Sequence, residues 1–415
     1  MSKKQILPVA LLSMVFTGAV GADTHDDLAT QLNELRGRLE KVEQAEAKSA
    51  PDNSKAGEIQ VPGTNTTINF GGYVQGDLTY DVRVKNGGYF NAGSTTRDSV
   101  DDEPEASLRA NQSRFNVTTS TSTPSGKPVT GFFEIDFMGE DKTTNEIFSN
   151  SEGVRLRHAY LSYDGFLVGQ YWSNFQDFAA YPVLLDVSSP AGRVFVRQPQ
   201  IRYTVDSWAL SLENPETQPI YGFSNQAESL GGIGEDTVPD MVLSWRHNGA
   251  NSYQVSGVLR RMGVKGTVSG VNFDDTETGW GVNVAGRWGF GNTTLKANTA
   301  IGDGIGRYIN NGFGNGLRLH NDGSVSLIES YGVSAALEQR WTNAWKSTFS
   351  YGLFKNESDF GAYDTDQIET YRANIRYDFA ANTMIGAEVM YATRDFIDGE
   401  DGDNTRFQLS VRHGF

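Results

Sequence analysis

The sequence predicts an all-β protein, a 16-stranded antiparallel transmembrane β-barrel preceded by a short N-terminal coiled-coil helix. Three observations carry that prediction. From residue 67 onward apolar side chains recur at every second position, the period of a strand. The connections between these runs alternate between tight turns and long acidic loops, the pattern of a membrane barrel. A mean hydropathy of −0.44 without a long apolar run excludes helical membrane spans, but not a barrel, whose strands need grease on one face only. The final peptide, RFQLSVRHGF (406–415), shows the period in miniature. Phe407, Leu409, Val411 and Phe415 share one parity, and Arg406, Gln408, Ser410 and Arg412 share the other. His413 is the only polar residue on the oily side.

The chain opens with MSKKQILPVALLSMVFTGAVGA (1–22), a secretory signal. Lys3 and Lys4 form its basic end, Ile6 to Val20 its apolar stretch, and Val20-Gly21-Ala22 a small-residue cleavage site. The formal charge is −16, and loss of this segment removes two lysines and no acid, so the exported chain is more acidic still. It contains no cysteine, so its stability rests on the fold alone. In residues 23–49, Leu28, Leu32, Leu35, Leu39 and Val42 follow the alternating four–three spacing of a coiled-coil seam. A seam of under three heptads forms only if something else brings its partners together. Residues 50–66, rich in Pro, Gly, Ser and Asn, read as a flexible linker to a barrel spanning 67–415.

Within the barrel the period-two runs give strands near 67–83, 108–121, 127–138, 153–163, 165–172, 193–205, 207–214, 239–247, 251–262, 278–289, 292–301, 331–342, 345–355, 368–379, 383–394 and 404–415. Short turns fall at DG (164–165), GN (291–292), NA (343–344) and AAN (380–382); long loops are expected at 84–107, 139–152, 215–238, 263–277, 302–330, 356–367 and 395–403. A soluble sandwich or propeller alternates too, but no blade-like repeat appears. Tyr80, Tyr160, Tyr203, Trp245, Trp341, Trp345 and Tyr391 sit near strand ends, as interfacial girdles do. The polar faces also carry lone arginines in mid-strand, which a dry core rejects. Sixteen strands leave an aqueous lumen, and the last strand must pair with the first to abolish both edges.

Arginine outnumbers lysine, and its planar fork suits carboxylate and phosphate. Arg114, Arg155, Arg157 and Arg202 lie on polar parities, and Arg193 and Arg197 follow the segment SNFQDFAAYPVLLDVSSPAG (173–192). That segment is long and moderately apolar, so it is expected to fold into the lumen and narrow it. Together these residues predict a positively charged, anion-attracting constriction. The competing reading is that the arginines pair with Glu134, Asp136, Asp177 and Asp186 and only brace the wall.

No nucleophile elbow, zinc-helix, Walker or dinucleotide motif is present, and the five histidines have no ligand spacing. The glycines of 302–307 and 312–317 have no following helix, and the acidic stretch 398–404 reads as a solvated outer loop. No cofactor, metal or nucleic-acid partner is expected, and no enzyme activity.

INFGGYVQGDLTYD (68–81), RLRHAYLSYDGFLVGQYWSNF (155–175), the leading coiled coil and the terminal Phe415 make the chain resemble the DcaP-like outer-membrane porins over residues 28–415. The resemblance implies a Gram-negative outer-membrane homotrimer whose N-terminal helices meet in the periplasm. It also implies passive uptake of small anionic solutes such as dicarboxylates past constriction arginines, Arg155 and Arg157 among them. A different class of role is a tether, in which the coiled coil contacts a periplasmic partner and conduction is incidental.

Overall fold

A computed structural model describes residues 37–38, 58–139, 149–150, 152–221, 233–310, 315–357 and 365–415. The signal segment and the seam residues Leu28, Leu32, Leu35, Leu39 and Val42 lie outside the described residues.

Sixteen antiparallel strands close into one barrel. They are β1 (Thr66–Asp81), β2 (Glu105–Arg109 continued by Arg114–Thr121), β3 (Val129–Gly139), β4 (Gly153–Tyr163), β5 (Phe166–Trp172), β6 (Arg197–Val205), β7 (Trp208–Glu213) and β8 (Asp240–His247). Then follow β9 (Ser252–Val268), β10 (Val271–Phe290), β11 (Thr293–Asp303), β12 (Glu329–Arg340), β13 (Trp345–Glu357), β14 (Thr365–Ala380), β15 (Thr383–Phe396) and β16 (Asp401–Gly414). Each pairs with its sequence neighbour, and β16 pairs with β1 from Tyr73↔Gly414 to Asp81↔Arg406. Every backbone ladder is thereby closed, as a wall in lipid requires.

The parity of the last strand holds. Phe407, Leu409, Val411 and Phe415 are about half exposed on the outside, while Arg406, Gln408 and Ser410 are buried on the inside. Outward rows such as Leu161, Val168, Ile201, Leu212 and Met241 run in register across five strands, so the apolar band is continuous around that wall. Tyr80, Tyr203, Trp341, Trp345 and Tyr391 are exposed on this outer face. Tyr160 is not: it turns inward against Phe132 and Tyr171, because it shares the parity of Phe132, its register partner.

Several expected boundaries shift. The loop expected at 263–277 is instead the tip of a long hairpin, β9–β10, turned at Ser269–Gly270 with φ of 50° and 84°. The connection at 395–403 shrinks to residues 397–400. β2 is interrupted at 110–113, where the Ser113 hydroxyl replaces a ladder contact with Gln75. Part of the expected linker, Glu58–Gln60, forms a strand against Thr67–Asn69, filling the edge of β1 below the point where β16 ends.

At the loop end, Gln218–Tyr221, Asn315–Leu319 and Val325–Leu327 form a separate small sheet. It packs Leu317, Leu319 and Val325 onto Val264, Val268 and Phe273 of the β9–β10 hairpin.

Candidate functional site

The segment after β5, residues 173–196, folds into the barrel and is tied to the wall strand by strand. The Phe175 carbonyl accepts from Ser256 Oγ at 2.8 Å and Asn283 Nδ2 at 2.7 Å. Lys296 Nζ donates to the Tyr181 carbonyl at 2.7 Å, and the Val183 amide donates to Glu338 at 2.8 Å. Further along, the Leu185 amide donates to Glu388 at 2.6 Å, Arg372 donates to the Ser188 and Ser189 carbonyls, and Gln75 reaches the Leu185 carbonyl at 3.3 Å. The Asn174 side chain begins this lacing on β7, at the Ala209 carbonyl, so the loop follows the wall from β7 round to β1. Strands β2 to β6 receive little of it.

A second inward loop pins the returning arm. Val194 bridges to Ile309, the Phe195 amide donates to the Tyr308 carbonyl at 2.9 Å, and the Asn310 amide donates to the Arg193 carbonyl at 2.8 Å. Phe175, Val194, Ile305, Tyr308 and Ile309 bury one apolar cluster between the two loops and the wall. At Gly192 (φ 72°) an added Cβ would lie 1.7 Å from the Leu353 carbonyl oxygen, so only glycine lets the loop approach β13 this closely.

The loop hides its acids. Asp177 and Asp186, its only carboxylates, are 1% and 2% exposed, whereas Phe178 and Val183 are 51% and 38% exposed. Asp177 caps the one-turn helix 178–180 through the Ala179 amide, and Asp186 accepts from the Phe90 and Ser188 amides.

Facing it, the wall β2–β6 carries Arg114, Arg155, Arg157 and Arg197 in one row, with Arg202 further along β6. Arg114 is in register with Asp136, Asp136 with Arg155, and Arg197 with Trp172. Arg155 grips Asp136 with both forks at 2.9 and 2.7 Å, and buried Arg157 bonds Glu134 at 2.6 Å and Asp136 at 2.8 Å. Those two arginines are therefore neutralised by the acids foreseen as their partners. Arg202 donates to Gln200 and to the Trp172 carbonyl, under Tyr171. Arg193 departs from expectation: it is wholly buried and holds the loop together through the Ala180 and Asp177 carbonyls at 2.8 and 2.6 Å, so its charge does not line water. Arg114 and Arg197 have no carboxylate within 4.0 Å among the described residues, and their guanidiniums lie over the rings of Tyr73 at 5.3 Å and Trp172 at 4.8 Å. Trp172 in turn leads a run of rings through Phe178, Tyr181 and Phe195 along the loop.

The predicted pore arginines leave out Arg376 and Arg412. Both stand on inward parities, half-buried, on β14 and β16. The alternation that flagged Arg155 would have flagged them also.

The loop end carries the opposite sign. Arg83 is bound by Asp98, Asp102 and Asp403, and their contacts hold its pKa above the ordinary arginine value. Arg97 binds Asp398 and Glu400 and holds the Asp398 carboxyl below the ordinary aspartate value. The acidic stretch near 398–404 thus closes on arginines of the 82–104 loop, and no cluster of metal-ligating side chains occurs among the described residues.

Residues 56–410 match the profile of the porin subfamily. No curated sequence matches the chain. The fold is similar to that of the outer-membrane channel DcaP of Acinetobacter baumannii, with a TM-score of 0.72 at 22% identity, covering 88% of this chain and 100% of that one. It is also similar to the trimer form of OmpT, an outer-membrane protein of Vibrio cholerae (TM-score 0.51, 14% identity, 84% and 99% covered). A third likeness is to an anion-selective porin from Comamonas acidovorans (TM-score 0.50, 12% identity, 84% and 100% covered). A closed sixteen-strand wall with a water-facing polar interior, matched over most of its length to this profile, makes the chain a member of the porin subfamily and an outer-membrane channel protein.

Proposed function

We propose that the channel passes small hydrophilic solutes by diffusion and favours anions, dicarboxylates among them. One observation carries this reading: the inward loop buries both of its carboxylates, while Arg114 and Arg197 on the facing wall keep charges that no carboxylate neutralises. An ion crossing between them meets an apolar rim on one side and cations on the other. A unit charge about 8 Å away in water is worth about 0.5 kcal/mol, roughly twofold in local ion concentration. Charged groups lining a pore set its selectivity in this way. Arg155 and Arg157 position this row rather than attract ions, because Asp136 and Glu134 hold them. Assembly as a homotrimer, as in the trimer form of the Vibrio cholerae protein, accords with this reading.

The test is the reversal potential of purified protein in a planar bilayer under a KCl gradient. The wild type should favour chloride. Arg114→Glu with Arg197→Glu should lower the chloride-to-potassium permeability ratio by at least about tenfold after salt screening, and Arg155→Gln should lower it far less. Wild-type cation preference, or an unmoved ratio in the double variant, would overturn the reading.

A further inference from the structure

The arginines without acid partners continue past the inward loop toward the turn end of the barrel. The loop crosses β14 and β1 where Asn374 Nδ2 donates to the Val183 carbonyl at 3.1 Å and Gln75 reaches Leu185. One step further toward the turns stand Arg376 on β14, Arg412 on β16 and Tyr73 on β1. Arg412 lies over the Tyr73 ring at 4.4 Å and gives its Nε to Gln75 Oε1 at 2.6 Å, and its two terminal nitrogens bond no other described residue. Arg114 reaches the same ring at 5.3 Å. Arg376 stands two strands from Arg412, in register with Gly386 of β15 and through it with Ser410 of β16. Among the described residues its one hydrogen bond is to Thr348 Oγ1 at 3.4 Å, and its buried Nε has no partner, like that of Arg114.

The carboxylates near these groups are already engaged, Asp77 by the Gln75 and Gln408 amides and the Ser410 hydroxyl. Glu338 is held by Lys296 and the Val183 amide, Asp378 by Lys346, and Glu388 by the Leu185 amide and Asn374. Glu134 and Asp136, nearest to Arg114, are held by Arg155 and Arg157. Half-buried guanidiniums whose neighbouring carboxylates are bound to other groups keep donors free, an arrangement that a multiply charged oxyanion satisfies through paired N–H···O bonds.

We propose that Arg114 and Arg412, stacked on Tyr73, together with Arg376 two strands from Arg412, form a second anion station on the turn side of the inward loop, suited to a compact multivalent oxyanion. It rests on the anion-conducting reading above and adds a binding step to it. A solute that clears the gap between loop and wall is handed to a site of higher charge before release, so divalent oxyanions dwell there longer than chloride.

Inorganic phosphate is the probe. Added at neutral pH to the turn side of wild-type channels carrying chloride current, it should reduce that current several-fold more than the same concentration added to the loop side. Arg376→Gln with Arg412→Gln, which leaves Arg197 intact, should abolish that extra block while chloride preference persists. Arg340→Gln, an exposed arginine by a turn that bonds Asn292, controls for loss of any turn-side charge and should block like the wild type. Symmetric phosphate block in the wild type, or full block in the double variant, would overturn the station and leave the anion preference standing. A wild type without anion preference would overturn both.

Discussion

Gly192 shows how much of the constriction rests on single backbone positions. Its φ of 72° costs a residue bearing a Cβ about 1–2 kcal/mol. The added carbon would also meet the Leu353 carbonyl and the Val333 amide. In Gly192→Ala the arm 190–196 should lift from β13, releasing the Ala191 amide from Thr370 and the Gly192 amide from Asn310. Single-channel conductance should fall with the barrel intact, since an arm displaced from the wall moves into the lumen, checked by current recordings beside far-UV circular dichroism. Arg193 is the neighbouring case. In sequence it looks like any other pore arginine, and only its burial shows that the guanidinium is consumed by carbonyls of its own loop. Conversely, Arg376 and Arg412 were readable from parity in YRANIRYDF and LSVRHGF, since their neighbours Ile375, Tyr377, Val411 and His413 face outward.

Among the elements, the strands were the most legible part, because lipid on one face and water on the other impose the two-residue period directly. Where a strand leaves the membrane, water wets both faces and the period fades. That is why VKGTVSGVNFDDTET read as a loop, although residues 252–290 form one continuous hairpin. The apolar character of 173–192 marked it correctly as an inward segment. Its lacing to nearly every strand from β7 to β1 was illegible, because those bonds come from residues scattered between Gln75 and Glu388. The outer connections depend instead on charge pairs. Arg97 holds the Asp398 carboxyl below its ordinary value, so this tie is complete at neutral pH. It weakens only as the pH falls through that lowered value, below the ordinary aspartate value of about 3.9. The Asp98 amide bonds the Asp401 carbonyl beside it. Amide exchange at Asp98, corrected for intrinsic rate, should stay slow from about pH 7 down to the ordinary aspartate value and accelerate only below it; Arg97→Gln should exchange quickly throughout.

The molecule as a whole stands or falls by closure. Residues 406–414 supply the partner of β1 and of β15 at once. Deletion of 406–415 should therefore leave two unsatisfied edges in lipid and yield no barrel that survives unheated detergent electrophoresis as a compact band. A mere loss of selectivity with a compact band would contradict the topology. The count of sixteen strands came from the period-two runs, while first meeting last followed from the need to satisfy every backbone group, and register between the ends confirms that pairing. The distribution of charge along the axis, acid at the loop end and uncompensated arginine within, depends on which partners neutralise which side chains, and counting residues does not disclose it.

The three residues Glu58–Gln60 lie directly beneath the terminal Phe415, hydrogen-bonded along the same flank of β1 that β16 occupies above. Any load applied through the chain ahead of residue 58 is thus delivered as shear onto the first strand, at the seam where the cylinder is zipped shut. A pull from that side would test the barrel at its suture before any other line of bonds.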